Sequence, residues 1–406
     1  FYPTPTFHPL KPIPMAHTTH TDALFLEHTD IMPGTVLEGE GLLSRPDVID
    51  RLRSLGTKCV VVTGRASSRA NGALPDTLAS LTAAGVEYRV FDAVEENPSR
   101  ATVLSCAEEM RDFAPDFLLG VGGGSPIDCC KAVGMALLGR YPVDTPGSTA
   151  VPTIVAIPTT AGTGTEVTQY AIVSEPEGKA SIAAKVFPVL SLIDATYQCA
   201  MPLGITISTA VDALTHSVES LLCVKSDEAS EECAWEGVRL FGLCLPELME
   251  ARRQGGLTPT MKTVAYRKAL CYCSSLGGLA IARTGTSLPH GLGYKLTELY
   301  GARHGESTGF FHPHYLRLCR DMNSSSQDRV DRILTLVLQG TGVSLHDGPD
   351  MLDSFTSMMQ ALLPTPPALS QQDIQAMVAL VPPSKLTQHP EPVGSKVVSD
   401  LYTSLV

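Results

Sequence analysis

Short β-branched and apolar runs alternate with amphipathic stretches from Lys58 to about Asp194. CVVVTG (59–64), YRVFD (88–92), FLLGVGGG (117–124), TIVAIP (153–158) and VLSLID (189–194) read as strands. Between them PDTLASLTAAG (75–85) and SRATVLSCAEEMRDF (99–113) place apolar residues at helical spacing. Such alternation predicts βαβ units and a doubly wound, mainly parallel sheet. After Pro202 the strand signals nearly vanish. TAVDALTHSVESLLCV, CAWEGVRLFGLCLPELMEARRQ, MKTVAYRKALCYCSSLGGLAIA, QDRVDRILTLVLQ and MLDSFTSMMQALL all carry the helical period. The pattern predicts an α/β domain over residues 1–202, whose first 34 residues are irregular, and an all-helical domain over 203–406. The boundary is expected near Met201-Pro202. With no long low-complexity linker, two firmly packed domains with a cleft between them are expected.

Length and composition narrow the class. A chain of 406 residues favours two domains over one, and 44% hydrophobic against 18% charged residues excludes global disorder. A formal net charge of −12 argues against an electrostatic grip on nucleic acid or anionic lipid. Eleven cysteines suggest a disulfide framework only superficially. The count is odd, no Cys-x-x-Cys pair is present, and Cys129-Cys130, Cys271 and Cys273 lie in apolar helical runs. Buried thiols in a reducing compartment are expected. The first twenty residues have no apolar core of the secretory kind, and the uncharged stretch Ala195–Val211 is too short and interrupted to span a bilayer. The expectation is a cytoplasmic protein with no membrane or nucleic-acid partner.

Two loops carry candidate binding chemistry. Gly122-Gly123-Gly124-Ser125-Pro126-Ile127-Asp128 follows a buried strand and opens a helix. Glycines admit a phosphate to the backbone, and a helix N-terminus offers free N–H groups and a positive dipole end. Ser125 and Asp128 have a plainer alternative as helix caps. The loop is not G-x-G-x-x-G, so an ordinary Rossmann fingerprint is absent. Pro158-Thr159-Thr160-Ala161-Gly162-Thr163-Gly164-Thr165-Glu166 then concentrates hydroxyls and glycines at another strand's C-terminal end, where open α/β sheets bind ligands. Together the two loops point to an anionic ligand of nucleotide size.

A metal constellation follows in the helical half. Asp212 and His216 stand at i and i+4, on one helix face. His290-Gly291 and His304-Gly305 come later, 14 residues apart. One carboxylate and three imidazoles suit a divalent first-row ion such as Fe²⁺ or Zn²⁺. The plainer alternative for each histidine is a surface or hydrogen-bonded core residue. His8, His17, His20 and His28 fall in the irregular N-terminal region, and His346 and His389 in loop-like contexts. His312 and His314 suit packing better than ligation.

With these motifs in view, the chain resembles the iron-containing (group III) alcohol dehydrogenases, relatives of glycerol dehydrogenase and dehydroquinate synthase. The anchors are Asn97-Pro98, GGGSPID at 122–128, PTTAGTGTEVT at 158–168, VDALTHSVES at 211–220, and His290 with His304. The resemblance runs from about residue 35 to the C-terminus. It implies a dehydroquinate synthase-like fold with the active site between the domains. It assigns Asp212, His216, His290 and His304 to the catalytic metal, with Fe²⁺ favoured over Zn²⁺. Gly123, Gly124, Ser125 and Asp128 fall where the family holds the cofactor pyrophosphate. Asn97, Thr159, Thr160, Thr163 and, in a looser motif, Lys179 match further cofactor contacts. Dimers or larger homo-oligomers are also implied.

Three departures qualify the resemblance. Where many members have a second histidine four residues after His290, this chain has Tyr294, either an acid or, as we favour, a wall of the pocket. Arg303 replaces the usual proline before His304, and Glu306 and Ser307 replace apolar or small residues, changes that bring charge near a substrate. Finally, Gly64, Arg65 and Ser67 stand after the first strand where NAD-preferring members often carry Asp. Losing an acid and gaining Arg and Ser suits a 2′-phosphate, so NADP(H) is favoured over NAD(H).

The expected activity is therefore reversible hydride transfer between a primary or secondary alcohol and its aldehyde or ketone, with the metal as Lewis acid and His290 and Tyr294 at the reacting centre. Two alternatives stay open at this stage. One is a metal- and nicotinamide-dependent lyase or cyclase, as among dehydroquinate synthase relatives. The other is a catalytically silent binding homologue.

Overall fold

The computed structural model describes residues 30–142, 149–176, 178–182, 185–342 and 348–405. The N-terminal histidines and His346 lie outside these, as does nearly all of the expected irregular segment. The chain divides into two compact units that meet in sequence at Met201 and Pro202.

The first unit runs β1 (Thr35–Glu38), α1 (Pro46–Leu55), β2 (Lys58–Gly64), α2 (Ser67–Ala70), α3 (Ala73–Ala84), β3 (Glu87–Val94), α4 (Arg100–Met110), β4 (Phe117–Gly122), α5 (Gly124–Leu137) and β5 (Ile154–Pro158). It ends with β6 (Ile172–Glu175), β7 (Gly178–Ser181) and β8 (Leu190–Ile193). Six strands form one sheet in the order β1-β8-β5-β4-β2-β3, and every pairing in it is parallel. β6 and β7 form a separate antiparallel hairpin. The sequence pattern did not announce that hairpin or β1, because those strands are only partly buried and mix polar with apolar residues, unlike the equally short but fully buried β8.

Strand alternation builds both faces of the core. Cys59 and Val61 of β2 join Val48, Leu52, Leu74 and Leu81 on one face, where α1 and α3 pack. Val60 and Val62 join Val103, Met110, Cys130 and Val133 on the other, where α4 and α5 pack. The chain leaves β2 toward β3 on one side, and β4 toward β5 on the other. The C-terminal ends of β2, β4 and β5 therefore lie side by side at a reversal of strand order, the place where such sheets take ligands. Register aligns them, with Thr63 opposite Val121 and Gly122 opposite Pro158. All eleven cysteines are free thiols, ten of them buried, as expected for structural cysteine.

The second unit is helical: α6 (Leu203–Leu221), α7 (Glu228–Gln254), α8 (Val264–Thr284), α9 (Leu288–Tyr300), α10 (His304–Gly309), α11 (His312–Arg320), α12 (Ser324–Leu338), α13 (Gly348–Leu362), α14 (Gln371–Leu380) and α15 (Ser395–Thr403). No helix among the described residues is long and apolar enough to cross a membrane. α6 is enclosed: from Val211 to Leu221 every side chain is buried, including Asp212, Thr215, His216, Ser217, Glu219 and Ser220. Buried polar groups of this density must find partners.

Glycines let the neighbouring helices reach α6. A β-carbon on Gly277 of α8 would lie 3.0 Å from the Ala213 carbonyl oxygen and 3.2 Å from Cβ of His216. On Gly305 of α10 it would fall 1.8 Å from the Ser208 carbonyl oxygen and 3.0 Å from Cβ of Asp212. Gly305→Ala should cost about 1–3 kcal/mol or more, because the obstacle is backbone rather than a mobile side-chain tip. Urea unfolding checks this, with Gly256→Ala, where an added β-carbon meets nothing within 4 Å, expected to be near neutral.

Candidate functional site

Four side chains from three helices converge. Asp212 and His216 lie one turn apart on α6, His290 stands in the first turn of α9, and His304 is the first residue of α10. Asp212 Oδ1 is 3.5 Å from His290 Nε2, 3.7 Å from His304 Nε2 and 4.0 Å from His216 Nε2. The His216 and His290 rings stack at 4.6 Å, and those of His290 and His304 meet edge-on at 5.1 Å. Asp212, His216 and His290 are almost wholly buried, whereas the His304 side chain is 28% exposed, which leaves that side the most open.

These separations fit a shared cation. Two atoms each about 2.1 Å from a tetrahedral ion lie roughly 3.4 Å apart. Asp212 Oδ1 and His290 Nε2 are buried and make no hydrogen bond in the protein, a costly state for two facing polar atoms. Asp212, His216 and His290 form a group of potential ligand atoms all within 4.8 Å of one another.

Electrostatics agrees with the geometry. Burial opposes charge on His290, yet Glu219 and Asp212 outweigh it and push the ring up to about 9. Burial likewise opposes charge on Asp212, but His216, His304 and His290 hold its carboxyl well below the usual range. Glu219, singled out by no sequence signal beyond its place in VDALTHSVES, accepts from His290 Nδ1 at 2.9 Å. It follows His216 by three residues on the same helix face.

Tyr294 stacks on His304 with centroids 5.5 Å apart and planes 11° from parallel, and meets His290 edge-on at 6.3 Å. The ring thus borders the histidine cluster. Arg303 pairs with Glu306 at 3.0 Å, so the two charges that depart from the family pattern offset each other. Ser307 is buried with its hydroxyl 3.0 Å from that of Thr297. His312 and His389 are both fully buried, although the sequence context of His389 reads as an unremarkable loop; its ring lies 5.9 Å from that of Tyr315.

In the first unit, the loops after β2, β4 and β5 assemble around α5. Neither Ser125 nor Asp128 caps that helix, whose N-cap is Gly123 with no side-chain cap. Ser125 Oγ instead accepts from the Asn97 backbone N–H at 3.0 Å. Asn97 adopts φ +57, uncommon outside glycine, and its Oδ1 accepts from Lys179 Nζ at 2.6 Å, so the hairpin β6–β7 is what brings Lys179 to Asn97. Asp128 accepts from the Thr165 hydroxyl and, at 3.0 Å, from the Ile172 N–H, and burial raises its pKa. β-Carbons on Gly123 and Gly124 would meet Thr160 Oγ1 at 3.1 Å and Thr163 Cγ2 at 2.7 Å, so the two loops touch through these glycines. Thr159 is buried, and its N–H donates to the Gly122 carbonyl at 2.7 Å. Gly64 closes β2, and Arg65 and Ser67 beyond it are exposed, while Arg69 is taken up by Asp92 at 3.0 Å.

Lys131 is a component that sequence reasoning missed. It lies inside an apolar helical run with no spacing signal, yet is fully buried. Its Nζ donates to the carbonyls of Thr165, Thr168 and Tyr170 and to the Thr165 hydroxyl, at 2.7–2.9 Å. Burial draws its pKa down to about 8 against the pull of Asp128 and Glu166. One cation thus fastens the threonine loop to α5.

Models of known families match both halves of the chain: iron-containing alcohol dehydrogenase over residues 33–195, and the C-terminal family of Fe-containing alcohol dehydrogenases over 206–385. The chain belongs to the iron-containing alcohol dehydrogenase family. It is 30% identical over 278 residues to 1,3-propanediol dehydrogenase of Klebsiella pneumoniae, covering 66% of this chain and 70% of that protein. NADPH-dependent butanol dehydrogenase of Clostridium saccharobutylicum is 26% identical, over 82% of each chain. The crystal structure of the iron-containing alcohol dehydrogenase of Thermotoga maritima superposes with a TM-score of 0.80 at 32% identity, over 92% of this chain and 98% of that one. The expected dehydroquinate synthase-like fold class is thereby borne out.

Two outcomes are expected. Lys131→Met removes the donor that three carbonyls and the Thr165 hydroxyl share and should cost about 1–3 kcal/mol by urea unfolding. In metal-free protein, His290 titrates near 9 against 6.5 for an ordinary imidazole, so its stabilising contribution is complete below pH 6.5 and lost as pH rises through 9. Unfolding free energy of chelator-treated protein should fall across that window, and His290→Asn should flatten the fall.

Proposed function

We propose that this family member is a divalent metal-dependent, NADP(H)-preferring alcohol dehydrogenase or carbonyl reductase acting on an alcohol and its aldehyde or ketone. Family membership makes it an oxidoreductase of the alcohol dehydrogenase type; metal, cofactor preference and residue roles are our assignments. The observation that carries the metal assignment is the convergence of Asp212, His216, His290 and His304, with two buried polar atoms facing each other and no hydrogen bond between them.

In this assignment the four side chains hold Fe²⁺ or Zn²⁺, with Fe²⁺ favoured. When bound, the ion supplies Lewis acidity toward a substrate oxygen, and the nicotinamide supplies or accepts the hydride. The chain's own part is to bind, orient and enclose. Gly123 and Gly124 let the pyrophosphate approach the start of α5, where free N–H groups and the helix dipole favour an anion. Ser125, Thr159, Thr160 and Thr163 line the same edge, and Asn97 and Lys179 act there as one hydrogen-bonded unit. Asp128, with both carboxylate oxygens engaged by Thr165 and Ile172, shapes that edge by holding the threonine loop. Gly64 lets the chain turn after β2, and Arg65 and Ser67, both exposed, are free to meet a 2′-phosphate. Tyr294, stacked flat on His304, serves as a wall that excludes water from the histidine cluster.

An alcohol and aldehyde panel with both nicotinamides tests this. Chelation should abolish turnover and Fe²⁺ or Zn²⁺ should restore it, with one nicotinamide oxidised or reduced per substrate. Turnover that leaves the nicotinamide unchanged would instead indicate a lyase or cyclase. Arg65→Ala should lower kcat/KM with NADP(H) by roughly 10- to 100-fold, the loss of a charge-assisted contact, while leaving NAD(H) kinetics nearly unchanged.

A further inference from the structure

Beneath the four converging side chains lies a carboxylate that family membership does not itself assign. Glu219 is fully buried at the end of α6. Its Oε1 accepts from the His290 backbone N–H at 2.9 Å, and its Oε2 accepts from the Ser287 N–H at 2.8 Å and lies 2.9 Å from His290 Nδ1. Ser287 is the N-cap of α9 but caps nothing with its own side chain, so Glu219 of a different helix does that work. The same carboxylate therefore holds both the backbone and the ring of His290.

The ring bond has a chemical consequence. An ionised carboxylate only accepts, so the proton between Glu219 and the ring belongs to Nδ1. The neutral ring then presents a lone pair at Nε2, and Nε2 faces Asp212 Oδ1, another acceptor, at 3.5 Å. Two acceptors face to face require a cation between them: a proton, or a metal ion. Three fixed hydrogen bonds leave Glu219 no freedom to turn away.

We propose that Glu219 is a positioning residue, fixing the tautomer and angle at which His290 offers Nε2 to a divalent ion, a role that rests on the metal-dependent assignment above. Histidine ligands are commonly oriented in this way, and loss of the orienting group typically weakens metal binding 10- to 100-fold.

The test uses full-length, metal-stripped protein titrated with Zn²⁺ and with Co²⁺ by calorimetry, with the Co²⁺ visible spectrum as a second readout. Glu219→Gln should bind both ions roughly 10- to 100-fold more weakly and shift the Co²⁺ bands. In a His290→Ala background the same change should have no further effect, whereas in a His304→Ala background it should keep its full effect. A purely structural role would lower the melting temperature of the metal-free protein yet leave metal affinity and Co²⁺ bands unchanged, which would overturn the proposal. An equal effect in both backgrounds would overturn it as well. Should Glu219→Gln not fold, nitrogen NMR of the Zn²⁺-loaded wild type decides. A protonated Nδ1 and a metal-shifted Nε2 on His290, assigned by their loss in His290→Ala, support the role, and the opposite tautomer refutes it. If the wild type binds neither ion, the metal assignment itself fails and this role falls with it; if it binds and only the Glu219 arms disagree, this role fails alone.

Discussion

The close approach of α10 to α6 at Gly305 is the constraint on which the histidine cluster depends. No side chain fits between Gly305 and the Ser208 carbonyl. That contact sets how near His304 comes to Asp212, and Gly277 does the same for α8 beside His216. The result is a helix whose polar residues are buried on purpose-built terms. Asp212, His216 and Glu219 follow one stripe of α6, and the neighbouring helices supply His290, His304 and the N–H groups that Glu219 accepts. A charged stripe of this kind is tolerable inside a protein only when each group has a counterpart.

The first unit solves a related problem by different means. The edge we assign to the cofactor is made of loops, which are intrinsically the looser part of an α/β domain. Here they are fastened from inside. Lys131 gathers the carbonyls of Thr165, Thr168 and Tyr170, Asp128 holds Thr165 and Ile172, and Asn97 links α5 to the hairpin through Ser125 and Lys179. A net negative chain can offer an anion site in this way, because backbone N–H groups and a helix dipole act over short distances where overall charge counts for little.

Much of this was legible in the residues. All five strands read from hydrophobic runs are present, and the helical period after Pro202 marks real helices. The i, i+4 spacing of Asp212 and His216 already put two side chains on one face. What escaped notice did so for physical reasons. β1, β6 and β7 are only partly buried and lack the apolar run that marks the equally short β8. α9 and α10 are rich in glycine and polar residues, which mask a helical stripe. Lys131 and Glu219 look like surface charges in sequence, and His389 like a loop residue, because burial is not a local property.

Sequence alone determined the strand–helix alternation, the helical half, the family and the identity of the candidate ligands, since each is written in local periodicity or in short motifs with fixed spacing. Tertiary structure alone decided which atoms face one another. It laid Tyr294 flat on His304, spent Asp128 on the threonine loop and set Glu219 behind His290. Those outcomes depend on contacts between segments up to 71 residues apart, where distance along the chain carries no information about distance in space.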